Sequence, residues 1–359
     1  MKIVQLIPQL ASGGAERFVV DLANEQSRDN EVALVVSLPL QGGAAFYLPE
    51  VSERVKLYSL NKRLGKDFGY LWRLFRLLKQ LKPDVVHTHI SAFTHFAVLK
   101  MFFPKVCFVH TVHSEAQREA EGGVSALLRK IFFRQGWAHP VTIGVGSNES
   151  FRAYYGVDAP IIANGRTVNK ELASGEELIP PYEGLNLVSI GHISKVKNHL
   201  LMCRAVAQLA AEGAKIQLYM FGRSVDQALE EEIRALQSPN IHLLGEVQNP
   251  AAYLRNADVF CMSSVMEGLP ISLIEAMSCG LIPVCTAVGS IPDMVTDGEN
   301  GFLASEVEQE HYTEALRRCV ALSADERALM KVRNIERTRP YAMDVCAEKY
   351  MKIYGQYVK

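Results

Sequence analysis

The sequence predicts an α/β protein made of two doubly wound parallel sheets, and three observations carry that expectation. Short β-branched runs take turns with amphipathic stretches along the chain, the pattern of parallel strands joined by crossover helices. The pattern then starts again after a breaker-rich stretch, Ser174 to Gly184 with Pro180 and Pro181. Finally, a chain of 359 residues is long for one core, domains commonly holding roughly 100 to 200 residues.

In the first half the strand-like runs are Lys2 to Pro8, Glu31 to Ser37, Val55 to Leu60, Asp84 to His89, Val106 to His113 and Val141 to Ser147. Between them Ala15 to Gln26, Tyr70 to Leu81 and Ser125 to Phe133 repeat apolar residues near the helical period, which suits helices covering the sheet faces. The second half repeats the order with strands at Leu187 to Ile193, Ile216 to Phe221, Ile241 to Val247, Val259 to Ser263 and Ile282 to Thr286. Its helices fall at His199 to Ala211, Gln227 to Leu236, Pro250 to Asn256 and Pro270 to Ser278, followed by one helical stretch from Gln309 to Ile335. Pro340 breaks the chain before a last helix, Met343 to Tyr357. Two such bodies in tandem, with no GxGxxG after the first strand, count against a standard dinucleotide dehydrogenase and put the expected site in the cleft between them.

Composition narrows the function classes. With 38 basic against 39 acidic side chains the net charge is near zero, which argues against nucleic acid as a partner. Seven scattered cysteines without a CxxC pair suggest neither a disulfide frame nor a zinc knuckle, so a reducing cytoplasm fits. The first apolar run is too short for a signal peptide, and no run approaches the ~18 apolar residues of a membrane span, so any membrane contact is expected to be peripheral. Residues 1–170 carry a net charge of +7 and the rest −8. An anionic partner for the first half and a domain interface of opposite charge explain that split equally.

After the first strand, Ser12-Gly13-Gly14-Ala15-Glu16 opens a helix, and paired glycines there admit backbone N–H groups to a phosphate or simply make a βα turn. Further on, Glu267-Gly-Leu-Pro-Ile-Ser-Leu-Ile-Glu275 follows a strand and runs into Ala-Met-Ser-Cys-Gly280. Gly268 and Pro270 place a turn and a helix start, leaving amides near Gly268 and Leu269 as donors. Glu267 reads alone as a helix-dipole partner, but Glu275 stands among Leu273, Ile274, Ala276 and Met277, where a plain surface carboxylate is unnatural.

These residues resemble the E-x7-E motif of the retaining glycosyltransferases of family 4, bacterial surface-polysaccharide type, which have the GT-B fold. The likeness extends through Asp84-Val-Val-His-Thr-His89, His110-Thr-Val-His113, Asn164-Gly165, Gly191 to Asn198 and Asp297-Gly-Glu-Asn-Gly-Phe-Leu303. The resemblance implies that Glu275 binds the ribose hydroxyls of a nucleotide-sugar, that Glu267 faces the donor sugar, and that His113 stands beside that sugar. It also implies a diphosphate clamp in Gly191-His-Ile-Ser-Lys-Val-Lys-Asn198, where Lys197 matches the family's Lys and His192 replaces its Arg, a departure because histidine is only partly charged at neutral pH. Catalytic roles thus fall to His113, Glu267 and Lys197, and donor contacts to Gly13, Gly14, His192, Lys197, Val247, Gly268, Leu269, Pro270 and Glu275. Asp293 in Gly289-Ser-Ile-Pro-Asp takes the place of the family's later Glu.

The same resemblance implies a first, acceptor-binding domain at 1–166 with a C-terminal helix, about 341–359, returning to it, and a second, donor-binding domain at 167–340. The expected activity moves a sugar from a UDP- or GDP-sugar to a saccharide, lipid-linked acceptor, at the inner face of the membrane. Neither cofactor nor metal is expected: His87, His89, His95, His110 and His113 have the spacing but not the carboxylate company of a metal site, and there is no Asp-x-Asp. A GT-B sugar-nucleotide epimerase and a catalytically silent partner subunit are the rival readings. Tyr70 to Lys82, with Arg73, Arg76, Lys79 and Lys82 among apolar residues, suits a membrane-surface helix and equally a sheet-covering one.

Overall fold

The computed structural model describes residues 1–63, 67–120, 123–166, 179–180, 182–247 and 250–358. Two compact units emerge, Met1–Thr167 with Tyr341–Lys359, and Val168–Pro340. Most of the expected breaker stretch, Ser174 to Gly184, lies outside the described residues.

The first unit runs β1 (Lys2–Ile7), α1 (Gly14–Gln26), β2 (Glu31–Val36), β3 (Lys56–Ser59), α2 (Phe68–Leu81), β4 (Val85–His89), α3 (Ala92–Ala97), β5 (Cys107–Val112), α4 (Ala116–Glu119), α5 (Gly123–Arg134), β6 (His139–Thr142) and α6 (Val145–Tyr155). Its strands form one parallel sheet in the order β3-β2-β1-β4-β5-β6. The sequence order reverses beside β1, between β1 and β4, and in sheets of this kind ligands bind at the carboxyl ends of the strands flanking that point. Every residue of β4 and β5 is buried, as expected of strands covered on both faces. One core cluster of this unit includes six phenylalanines, Phe93, Phe96, Phe108, Phe132, Phe133 and Phe151.

The second unit runs β7 (Leu185–Ile190), α7 (His199–Ala211), β8 (Ile216–Phe221), α8 (Gln227–Ala235), β9 (Ile241–Gly245), α9 (Pro250–Leu254), β10 (Val259–Met262), α10 (Ile271–Ser278), β11 (Ile282–Thr286), α11 (Ile291–Met294), β12 (Phe302–Ala304), α12 (Gln309–Val320) and α13 (Ala324–Arg337). Its parallel order, β12-β11-β10-β7-β8-β9, puts the reversal between β7 and β10.

The last helix, α14 (Met343–Tyr357), packs on α1 and β5 of the first unit. Two features seat it. The Arg166 amide donates to the Tyr341 carbonyl at 2.9 Å, and a Cβ on Gly165 would stand 2.5 Å from that of Cys346, so only glycine lets the helix lie this close.

Four expectations need correction. The stretch Gln309 to Ile335 is two helices, because the Ser323 hydroxyl accepts from the Glu326 amide while the Glu326 carboxylate accepts from the Ser323 amide, a capping box that restarts the chain. The strand expected to reach Ser147 stops at Thr142, since the Ser147 hydroxyl accepts from the Gly144 amide at 3.1 Å and starts α6. Pro270 is the cap of α10 rather than its first residue. Arg73 does not lie on an open basic face: it donates to the Leu60 carbonyl at 2.9 Å and pairs at 2.7 Å with Asp67, whose carboxylate caps α2.

Candidate functional site

In the second unit two loops meet where the strand order reverses. One is Gly191–Asn198 after β7, the other Ser263–Pro270 after β10. Backbone holds them together: the Val265 amide donates to Val196 at 2.8 Å, and the Ser263 hydroxyl to the Asn198 carbonyl at 2.9 Å. Across that seam Lys197 Nζ lies 2.5 Å from Glu267 Oε1, which also accepts from the Ser264 hydroxyl at 2.6 Å. With 9% of its side chain exposed, Glu267 is the more enclosed partner, while 29% of the Lys197 side chain remains open. The structure therefore joins two residues that stand 70 apart in sequence and neutralises them against each other.

Leu269 and Pro270 are buried at the start of α10, Gly268 is half-buried beside them, and Glu275 is half-buried a little over one turn along. The turn after β11 supports this loop. Gly289 has φ +58°, a Cβ there would collide with the Glu267 carbonyl oxygen, and the Ser290 amide donates to Gly268 at 3.2 Å. Asp293, in α11, is exposed. Val247 is half-buried beyond the end of β9.

His192 is half-buried in the first loop. Burial lowers its pKa, the charges of Arg223 and Lys197 lower it further, and Glu246 opposes them. Arg223 sits on the strand extension that bridges Ile193 and Ser224, its carbonyl accepting from the Ile193 amide at 3.1 Å. A permanent cation thus stands near the position where the sequence lacks the expected Arg.

In the first unit the chemistry gathers at the ends of β1, β4 and β5. Gly13 caps α1 with its backbone extended, and the Glu16 carboxylate folds back over it, so a carboxylate already stands at this helix start where a phosphate was expected. Burial raises the Glu16 pKa, against hydrogen bonds from its own amide and Gln9. Gly14 is the first residue of that helix.

His113 follows β5. Its Nε2 lies 2.9 Å from His89 Nδ1, whose other nitrogen lies 2.8 Å from Gln5 Oε1. The His113 amide donates at 2.7 Å to Glu119, and His110 Nε2 reaches the other oxygen of that carboxylate at 2.8 Å. Burial raises the Glu119 carboxyl, but the His110 hydrogen bond and the charges of His110 and Arg129 overcome it and hold it at about 2. Burial drives His113 the other way, down to about 4, against the pull of Glu119. His87 is buried between Thr111 and Tyr354, at 2.7 Å from each. The partners of these histidines are hydroxyls, the Gln5 amide, the Glu119 carboxylate and each other, while His113 Nδ1 is buried without a hydrogen-bond partner among the described residues. Among the described residues the one cluster with metal-ligand chemistry is Glu306, Glu308 and His311, in and before α12.

Sequence reading missed Gln5, Glu119, Arg129, Ser264, Arg223 and Tyr354. Gln5 carried a signal, being the polar residue inside an apolar strand, and Arg129 carried another, on a helix beside Phe132 and Phe133. The rest look like ordinary surface residues until the chain is folded.

Comparison with known proteins identifies the family and the fold. A model described as Glycosyltransferase Family 4 matches residues 12–169, and one described as Glycosyl transferases group 1 matches residues 184–321. A Campylobacter jejuni protein named as a GalNAc-alpha-(1->4)-GalNAc-alpha-(1->3)-diNAcBac-PP-undecaprenol alpha-1,4-N-acetyl-D-galactosaminyltransferase is 25% identical over 84% of each chain. An Escherichia coli UDP-Gal:alpha-D-GlcNAc-diphosphoundecaprenol alpha-1,3-galactosyltransferase is 26% identical over 84% of this chain and 82% of its own. In fold, Anabaena HepE in complex with UDP superposes with TM-score 0.79 at 16% identity, over 99% of this chain and all of the other. Sucrose-phosphate synthase from Thermosynechococcus elongatus gives 0.82 at 16% identity, over 99% of both. The chain belongs to the family 4 glycosyltransferases and has the GT-B fold.

Proposed function

We propose that this glycosyltransferase moves a sugar from a UDP- or GDP-sugar to a saccharide carried on a lipid, with retention at the transferred carbon and without a metal. The second unit holds the donor and the first the acceptor. The Lys197–Glu267–Ser264 cluster at the strand-order reversal carries this reading, because it places an ammonium and a carboxylate together where a phosphorylated ligand of such a sheet binds. Glu275 accepts two ribose hydroxyls, as a carboxylate does well. Lys197 and the positive end of α10 stabilise the diphosphate as the bond from sugar carbon to phosphate oxygen breaks. The acceptor hydroxyl attacks from the same face, and its proton passes to the departing phosphate oxygen.

Two relatives named for undecaprenol-linked acceptors support the lipid, and the UDP complex of HepE supports the donor class. Among the described residues no helix is long and apolar enough to cross a membrane. On the first unit Trp72 and Arg76 lie exposed on α2, and Val124, Leu127 and Ile131 form an exposed apolar stripe on α5 with Lys130 beside it.

Glu275→Ala weakens nucleoside diphosphate binding by about 1 to 3 kcal/mol, the scale of hydrogen bonds to a charged group, and titration calorimetry reads it. Unchanged affinity removes the ribose assignment. A donor screen by mass spectrometry, run with and without acceptor, separates transfer from epimerisation, and retained turnover in a chelator is the outcome expected of a metal-free step.

A further inference from the structure

Helix α13 faces the core of the second unit with few residues. Its buried side chains are Met330 and Asn334, and Asn334 serves as a polar tie, donating to the Leu281 carbonyl at 3.0 Å and accepting from Asn300 at 2.9 Å. The larger aliphatic side chains point the other way. Leu329, Val332 and Ile335 are 52, 55 and 46% exposed, with Ala328 exposed beside them. A surface helix normally turns its aliphatic stripe to the core, so three branched aliphatic residues in one row on the outer face mark an interaction surface.

The row is self-complementary. Positions 325, 328, 332, 335 and 339 recur in steps of three and four, the spacing of a coiled-coil seam, with Asp325 closing one end and Arg339, just past the helix, the other; both are exposed. A two-fold axis through Val332 carries this row onto itself. Val332 then meets its own copy, Leu329 meets the partner's Ile335, Ala328 leaves room for the partner's Glu336, and Asp325 meets the partner's Arg339. A parallel pair would instead set Asp325 against Asp325 and Arg339 against Arg339, and an anionic lipid surface would repel Asp325 and Glu336; the antiparallel pair avoids both penalties.

We infer that α13 is the contact of a reversible homodimer, pairing antiparallel with the same helix of a second copy of this chain. Such a contact is isologous and stops at two copies. Its 14 residues at about 1.5 Å each give about 21 Å of helix and an interface on the order of 1,000 Å², the low end for specific association, so the dissociation constant is about 10 to 100 μM. The contact lies within the second unit and is independent of the reaction proposed above.

Sedimentation velocity of the full chain between about 1 and 300 μM brackets that constant. A monomer at the low end and a dimer at the high end is the expected result, and a monomer throughout overturns the inference. Val332→Glu sets two carboxylates against each other on the axis and weakens association at least about tenfold, with the melting temperature unchanged because the position is exposed. Asp325→Arg and Arg339→Asp each weaken it about two- to tenfold, since the axis repeats the pair, and the double variant, which restores the pair with its charges exchanged, recovers the wild-type constant. A dimer untouched by Val332→Glu, or a double variant no better than the single ones, puts the contact on another face and refutes the pairing. A chain that stays monomeric and loses binding to phosphatidylglycerol vesicles on Val332→Glu assigns the row to lipid, which also refutes it.

Discussion

Lys197 and Glu267 neutralise one another at 2.5 Å, so an arriving diphosphate competes with a carboxylate for the same ammonium. Glu267→Gln removes the competitor and its charge. The variant binds nucleoside diphosphate about 2 to 5 times more tightly, the scale of a partly exposed ion pair, and on the proposed function it transfers sugar more slowly. Calorimetry and a rate assay read the two effects separately, and weaker binding by the variant excludes the competition. His192 gives a pH dependence of definite sign. Burial and the charges of Arg223 and Lys197 lower its pKa, so the imidazole is uncharged at neutral pH, while a diphosphate favours the protonated form. Donor affinity accordingly rises as pH falls and keeps rising below the ordinary histidine value near 6.5. His192→Arg flattens that rise. Identical pH profiles in the two proteins would show that position 192 does not touch phosphate.

At the scale of elements, the loop carrying Glu267 is shaped as much by the turn after β11 as by its own residues. Gly289 holds φ +58° and leaves no room for a Cβ beside the Glu267 carbonyl. Gly289→Ala therefore combines backbone strain with a push on the Glu267 loop, costing at least about 2 kcal/mol of stability and, on the proposed function, most of the activity. Gly43→Ala, where nothing lies within 4 Å, is the control and changes stability by no more than about 0.5 kcal/mol. Urea unfolding compares them, and equal midpoints would remove Gly289 from the account. Helix α2 teaches the related point that one stripe of residues serves two masters. Tyr70, Leu74 and Leu78 are buried against the sheet, Arg73 ties the helix start to Asp67 and Leu60, and Trp72, Arg76 and Lys79 are left exposed.

Over the whole molecule, the lipid-borne acceptor proposed above is tested on the first unit, where Trp72 with the Arg76 guanidinium 4.7 Å from its ring centroid, Lys79 and the apolar stripe of α5 are exposed. The protein sediments with anionic vesicles at low salt and is released as ionic strength rises, because exposed charge attraction is screened within about 10 Å at 0.1 M. Arg76→Gln with Lys79→Gln weakens that binding at about 1 kcal/mol per charge and leaves the melting temperature alone; Arg73 is excluded because its loss uncouples the α2 cap. Indifference of the wild type to such vesicles at low salt would redirect the search to a soluble acceptor.

By itself the sequence determined the α/β class and the two repeated bodies, since alternating β-branched and amphipathic runs leave parallel sheets as the way to bury both strand faces. It also placed the motif residues, Glu267 and Glu275 on one loop and helix and Lys197 on another, because glycines and a proline fix where those loops turn. Helix ends were legible only where a cap was weighed; Ser323 and Glu326 spelled out a capping box within a stretch whose apolar period suggested one continuous helix. The partnerships were decided by tertiary structure alone. Lys197 with Glu267, His113 with His89, His89 with Gln5, and Tyr354 of the last helix with His87 are contacts across 70, 24, 84 and 267 residues. No local propensity encodes such pairs. They exist because parallel sheets bring strand ends from distant parts of the chain to one edge, and because buried polar groups there must find partners wherever the fold supplies them.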